Sequence, residues 1–98
     1  MKKPSLYPPR EAGCWICGNP YVEAHHIFPS ARRNASDREG CVVMLCHYHH
    51  QGKGGVHRDR ELDLEIKRDC QRRWERREGV EDDPEHNAFR DIFYASYL

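Results

Sequence analysis

Two closely spaced pairs of metal-binding residues constrain this chain more than anything else in it. Cys14 and Cys17 form a C-x2-C turn followed by Gly18, and Cys46 and His49 form a C-x2-H pair after 28 intervening residues. Two such pairs match the ligand set and spacing of a tetrahedral structural zinc, with each turn pointing two side chains at one ion. An ion held this way closes the intervening loop and pins residues 21–45. His47, His49 and His50 all lie near Cys46, and the C-x2-H spacing favours His49 as the fourth ligand. The other readings are two unrelated reduced thiol pairs, or a Cys14–Cys17 disulfide of a redox protein. The second lacks a Trp-Cys-x-x-Cys motif opening a helix after a strand.

A staple of this kind is what the composition calls for. The chain has 98 residues, 38% hydrophobic and 33% charged. A domain this short buries a small share of its surface, and thin apolar content leaves it marginal without a disulfide or a metal. Five cysteines, an odd number, beside seven histidines favour the metal. The basic start MKKPSLYPPR has no apolar run behind it, so no signal peptide is expected and a cytoplasmic setting with reduced thiols is. No stretch approaches the roughly 20 apolar residues of a membrane span. Net charge is zero but uneven. Residues 1–60 carry nine Lys or Arg against five Asp or Glu, and residues 61–98 carry seven against eleven. The basic first half suits an anionic partner such as nucleic acid, while the acidic tail argues against sequence-blind coating of DNA.

Residues 1–12, with three prolines, read as an irregular arm. Residues 13–20 form the metal-binding turn, 21–28 (YVEAHHIF) a strand ended by Pro29, and 41–45 (CVVML) a short buried strand. The polar stretch 29–40 between them reads as a loop. Residues 46–57 begin on a turn or short helix and break at Gly52, Gly54 and Gly55. Residues 59–77 predict one long helix, because Leu62, Ile66, Cys70 and Trp74 recur every four residues and Gly79 is placed to stop it. After an acidic linker, Asp83 and Pro84 resemble an N-cap and first helical residue. A last helix is expected to about Ser96, with Phe89, Ile92, Phe93 and Tyr97 on its apolar side. This divides one α+β domain into an arm (1–12), a zinc-bound core (13–58) and a C-terminal helical part (59–98).

Histidines outside the zinc set supply the candidate chemistry. His25, His26, His47 and His50 flank the two halves, and His57 follows. Phosphodiester hydrolysis needs an activated water and a stabilised leaving oxygen. A neutral imidazole can take the proton from water, and a divalent cation can polarise the phosphate. Arg32, Arg33, Arg38 and Lys53 fall where they could hold phosphates. His25 and His26 point to opposite faces of a strand, so both serve one site only if the hairpin edge twists toward it.

The run EAHHIFP followed by CVVMLCHYHH, between zinc pairs, resembles the HNH (ββα-metal, His-Me finger) nuclease family. HHIFPSARR…LCHYHHQGKGGVHRDRELDLEIK…QRRWE with FRDIFYASYL is similar to small HNH-like proteins of phages and prophages, and to phage recombination nucleases. The resemblance spans roughly residues 14–98. It implies a zinc-stapled ββα core with a hairpin, residues 21–28 and 41–45, packed on a short helix beginning near Cys46. It implies His25 and His50 as ligands of a catalytic ion, with His57 a further ligand in related patterns. His26 would be the general base, and Cys14, Cys17, Cys46 and His49 would hold structural zinc. The ion would be Mg²⁺ or Mn²⁺, with Zn²⁺ or Ni²⁺ also suited to imidazole. The substrate would be DNA, with RNA as the alternative, and the protein a monomer or homodimer encoded by a phage or prophage and active in the bacterial cytoplasm.

One position departs from the family. The asparagine that orients the general base falls five residues before the zinc cysteine, and that place is Cys41, a weak donor and acceptor. A zinc-stabilised nucleic-acid-binding module without catalysis is therefore the alternative reading, and a structural zinc domain with protein partners a third. Beside the functional readings stand plainer ones. Cys41 and Cys70 read as core, His47 as solvent-facing or a group behind the metal ligands, His86 as solvent-facing, and Arg72, Arg73, Arg76 and Arg77 as a solvated helix face.

Overall fold

The computed structural model describes residues 2–98. It is a small α+β structure built on one antiparallel hairpin and several helices. Strand β1 (Val22–His26) pairs with β2 (Val42–Cys46), and His25 stands opposite Val43, Glu23 opposite Leu45. Successive residues alternate between faces. Glu23 and His25 therefore share one face of β1, and His25 is buried with Val43 and Leu45. Both strands are offset by a residue or more from their expected limits. Tyr21 lies outside the ladder and is exposed, whereas Cys46 ends β2 rather than following it.

The expected loop over 29–40 is mostly helical. A short 3-10 turn (Ser30–Arg32) leads into helix α1 (Arg33–Glu39). No apolar stripe announces this helix, because tertiary contacts hold it. Ser36 is fully buried and its hydroxyl donates to the Phe28 carbonyl at 2.7 Å while accepting from the Phe28 amide at 3.0 Å. Gly40 ends α1 in the left-handed conformation, at φ 79°. A Cβ there would also collide with the Pro4 carbonyl, so glycine is required twice over.

Helix α2 (His47–His50) starts directly after β2 and is a single turn. Helix α3 (Arg60–Glu78) is capped by Asp59, whose carboxylate accepts from the Leu62 amide at 3.1 Å, and stopped by left-handed Gly79. Its Ile66, Cys70 and Trp74 are buried and Leu62 is half-buried. The last helix, α4 (Asn87–Phe93), is shorter than expected. Asp83 does accept backbone hydrogen bonds, from Glu85 and Asn87, but it caps a turn. His86 and Tyr94 both take left-handed φ values, 56° and 60°, and delimit α4 on either side.

An aromatic core joins these elements. Phe28 at the end of the hairpin meets Phe93 at 4.6 Å and Phe89 at 5.4 Å between ring centroids, and Trp74 of α3 meets Phe89 at 5.5 Å. Each such aromatic pair contributes about 1 kcal/mol beyond the area it buries. The irregular arm is docked on this core. Tyr7 is buried, its hydroxyl donates to Asp69 at 2.7 Å, and the Leu6 amide donates to the Gly40 carbonyl at 2.9 Å. His86, expected in solvent, is half-buried and bonds the buried Glu75 at 2.7 Å. Among the described residues no helix is long and apolar enough to cross a membrane.

Candidate metal centres and the histidine pocket

The two sequence pairs come together. Cys14, Cys17, Cys46 and His49 bring one donor atom each to within 4.8 Å of one another and could hold a metal ion such as zinc. The Cys17 and Cys46 sulfurs are 3.7 Å apart, and His49 Nδ1 lies 3.3 Å from Cys46 Sγ and 3.8 Å from Cys14 Sγ. Zinc–sulfur bonds of about 2.3 Å at tetrahedral angles place sulfurs roughly 3.8 Å apart, with sulfur and imidazole nitrogen slightly closer, so the donor set fits that ion. The backbone builds both halves. The Gly18 amide donates to the Cys14 carbonyl at 2.8 Å, closing the knuckle, and the Trp15 amide donates to Met44 of β2 at 2.9 Å, fastening it to the hairpin. Burial raises the Cys14 thiol, but backbone hydrogen bonds at Cys46, Cys17 and Ile16 outweigh it and lower the thiol to about 6. Of the three histidines near Cys46, His49 is the one that joins the thiols.

His50 turns the other way, into a second cluster. His25, His50 and His57 each place a ring nitrogen within 4.8 Å of the others. Ring centroids are 5.1 Å apart for His25–His50, 5.4 Å for His25–His57 and 4.9 Å for His50–His57. His25 is 3% exposed, and its Nε2 is buried with no hydrogen-bond partner. A buried ring nitrogen without a partner is costly unless something else satisfies it. Burial first, then the imidazoles of His50, His57 and His26 and the Lys67 ammonium, push the His25 pKa down to about 3. His25 is therefore a neutral lone-pair donor at neutral pH. His57 is exposed, and Gly55 carries the chain back toward it. A Cβ at Gly55 would come 2.6 Å from the His50 carbonyl, so the approach needs glycine.

Glu23 completes this cluster from below. Its Oε1 accepts from His50 Nδ1 at 2.7 Å and its Oε2 faces His47 Nδ1 at 3.1 Å. These contacts, His50 first, hold the Glu23 carboxyl below the usual carboxylate range. With Nδ1 committed to Glu23, His50 presents Nε2 to His25 and His57. Sequence reading passed over Glu23, although it sits two residues before His25 and so on the same strand face.

A pocket of about 230 Å³ opens on the histidine cluster, lined by His25, His26, His50, His57, Ser30 and Arg33 among others. His26 ends β1, and both His25 and His26 line the one pocket although neighbours on a strand point to opposite faces. Of the four expected phosphate-binding cations, the pocket wall includes Arg33 alone. Arg32 lies over the Tyr94 ring at 3.7 Å, Arg38 turns to Glu39 at 3.4 Å, and Lys53 is exposed away from the lining. Cys41 is fully buried, and burial together with Cys41 pushes the neighbouring Cys70 thiol well up. Neither thiol reaches the pocket wall.

Comparison with protein-family models, with curated proteins and with solved structures gives no match to this chain.

Proposed function

We propose that this chain is a metal-dependent nuclease of the HNH type, with His26 as general base and His25, His50 and His57 holding a divalent ion. The observation that carries the reading is the buried, unpartnered Nε2 of His25, in a cluster of three imidazoles at the floor of an open pocket. A divalent ion bound there would polarise the scissile phosphate and neutralise the leaving oxygen. Three imidazoles without a carboxylate favour Zn²⁺ or Ni²⁺ over Mg²⁺ or Mn²⁺. His26 accepts the proton of the attacking water. The new P–O bond forms as the bond to the 3′-oxygen breaks, leaving a 5′-phosphate. Arg33 receives a phosphate at the pocket rim, and DNA is the substrate class. Zinc on Cys14, Cys17, Cys46 and His49 has a structural part, fixing the start of α2 and hence the direction of His50.

The test is cleavage of supercoiled plasmid and single-stranded DNA by zinc-replete protein, with Mg²⁺, Mn²⁺, Ni²⁺ or Zn²⁺ added in turn, beside His26→Ala. Ion-dependent nicking that His26→Ala lacks supports the reading. Full activity in a clean His26→Ala preparation overturns His26 as the base. No cleavage with any ion, by protein that binds DNA, favours a binding module without catalysis, the reading to which Cys41 at the asparagine position points.

A further inference from the structure

We infer that Asp37 orients His26, taking the part that an asparagine at position 41 would have played. The inference rests on the nuclease reading for its catalytic half alone. Among the described residues, Asp37 is the carboxylate within ion-pair distance of His26, with Oδ1 3.6 Å from Nε2. That separation is longer than a hydrogen bond, and the carboxylate charge facing Nε2 favours the tautomer that carries its proton on that nitrogen.

Three features make the placement a property of the fold. The Ser36 hydroxyl grips both the amide and the carbonyl of Phe28, so α1 is keyed to the end of β1 two residues past His26. The Cys41 amide donates to the Ser36 carbonyl at 2.8 Å, and the Ile27 amide to the Cys41 carbonyl at 3.0 Å, so β1, α1 and β2 are tied in a ring around that point. Asp37 is the next residue along α1. Its second oxygen, Oδ2, is taken by the Lys2 ammonium at 2.5 Å. Lys2, first among the causes, keeps the Asp37 carboxyl below its usual range. The carboxylate therefore stays charged and offers Oδ1 to the imidazole. Position 41 cannot substitute, because its thiol is sealed in the core beside Cys70.

The chemical consequence is a choice of tautomer. A carboxylate facing Nε2 keeps the proton there and leaves Nδ1 with the lone pair, and Nδ1 is then the atom that takes the proton from water. Asp37 is a positioning residue and touches no substrate. The experiment uses the full-length, zinc-replete chain with ¹⁵N-labelled histidine. Long-range proton–nitrogen correlation reads the His26 tautomer, assigned by its loss in His26→Ala. The expected result is the Nε2–H form in the wild type and mixed tautomers in Asp37→Ala. Alongside, Asp37→Ala should lower kcat by about 10- to 100-fold, with KM and affinity for the added ion unchanged. A wild-type His26 carrying its proton on Nδ1 overturns the inference, whether or not any variant folds. So does a tautomer ratio that Asp37→Ala leaves unmoved. The tautomer is read without turnover, so a wild type that fails to cut DNA overturns the nuclease reading while the contact is judged separately.

Discussion

Glu23 Oε1 stands 2.7 Å from His50 Nδ1, which commits one nitrogen of that ring and aims the other at His25 and His57. Carboxylates behind metal-bound histidines fix the ring and raise its basicity, and their loss typically costs about 10- to 100-fold in metal affinity. Glu23→Gln should weaken binding of Ni²⁺ or Zn²⁺ to the histidine cluster by that factor. Titration calorimetry on protein already saturated at the cysteine site measures it. An unchanged affinity would mean His50 is not a ligand there, or is held without Glu23.

On the proposed reading, zinc held by Cys14, Cys17, Cys46 and His49 staples a thin core, so its removal should be felt by the whole chain. Structural zinc contributes on the order of 10 kcal/mol to small domains that fold around it. Cys46→Ser should lose the stoichiometric zinc and most of its far-ultraviolet helical signal. Cys70→Ser should keep the zinc, because Cys70 lies in the aromatic core rather than among the ligands. Zinc counted by chelator release, beside circular dichroism, separates the two. A folded, zinc-free Cys46→Ser protein would show that the hairpin stands without metal.

Arg33 and Lys53 looked alike in the sequence, both basic residues near the histidine runs, and the fold separates them. Arg33 lines the pocket and Lys53 does not. Arg33→Ala should reduce DNA affinity and lower the slope of log affinity against log salt by about 1, as expected for one lost phosphate contact. Lys53→Ala should leave the slope within error. Fluorescence anisotropy of a labelled oligonucleotide at several salt concentrations makes the comparison, and equal effects would remove the pocket from the binding path.

What was legible in the sequence was periodicity and pairing. The four-residue stripe from Leu62 to Trp74 and the stop at Gly79 describe α3, and the two Cys/His pairs announce the cluster the fold assembles. Helix α1 was invisible for a physical reason. Its one buried apolar side chain is Ala35, and its stability comes from Ser36 reaching Phe28 across the turn, a contact without a local pattern. Glu23 and Asp37 were missed in the same way, since their roles depend on strand register and on where α1 docks. Asp83 followed by Pro84 reads as a helix start, which begins the last helix too early because Asp83 accepts its backbone hydrogen bonds in a turn. His86 and Tyr94 in left-handed conformation then confine α4 to Asn87–Phe93. His86 is turned from solvent by Glu75, which sequence separation concealed.

Glu39 gathers the arm, α1 and α3 at one buried carboxylate, and its loss gives the clearest stability test. It is 4% exposed, accepts from Lys3 Nζ at 2.7 Å and from the Trp74 indole at 3.0 Å, and lies 3.6 Å from Arg77 Nη2. Burial raises its carboxyl, but Lys3 and then Trp74 outweigh that and leave it below the ordinary 4.5. A carboxylate lowered on folding stabilises the protein above its unfolded pKa, and that contribution fades as pH falls through the folded value. Glu39→Gln should therefore cost about 1–3 kcal/mol at pH 7, with the Lys3 and Arg77 charges left under-compensated. The difference should stay constant from pH 7.5 to about 5 and shrink below roughly 4.5. Urea unfolding of both proteins at each pH reads it, and acid effects on the cysteine site cancel because both chains share them. A difference that grew on acidification would mean that folding raises the Glu39 carboxyl above its ordinary range, and that Lys3 and Trp74 do not outweigh its burial.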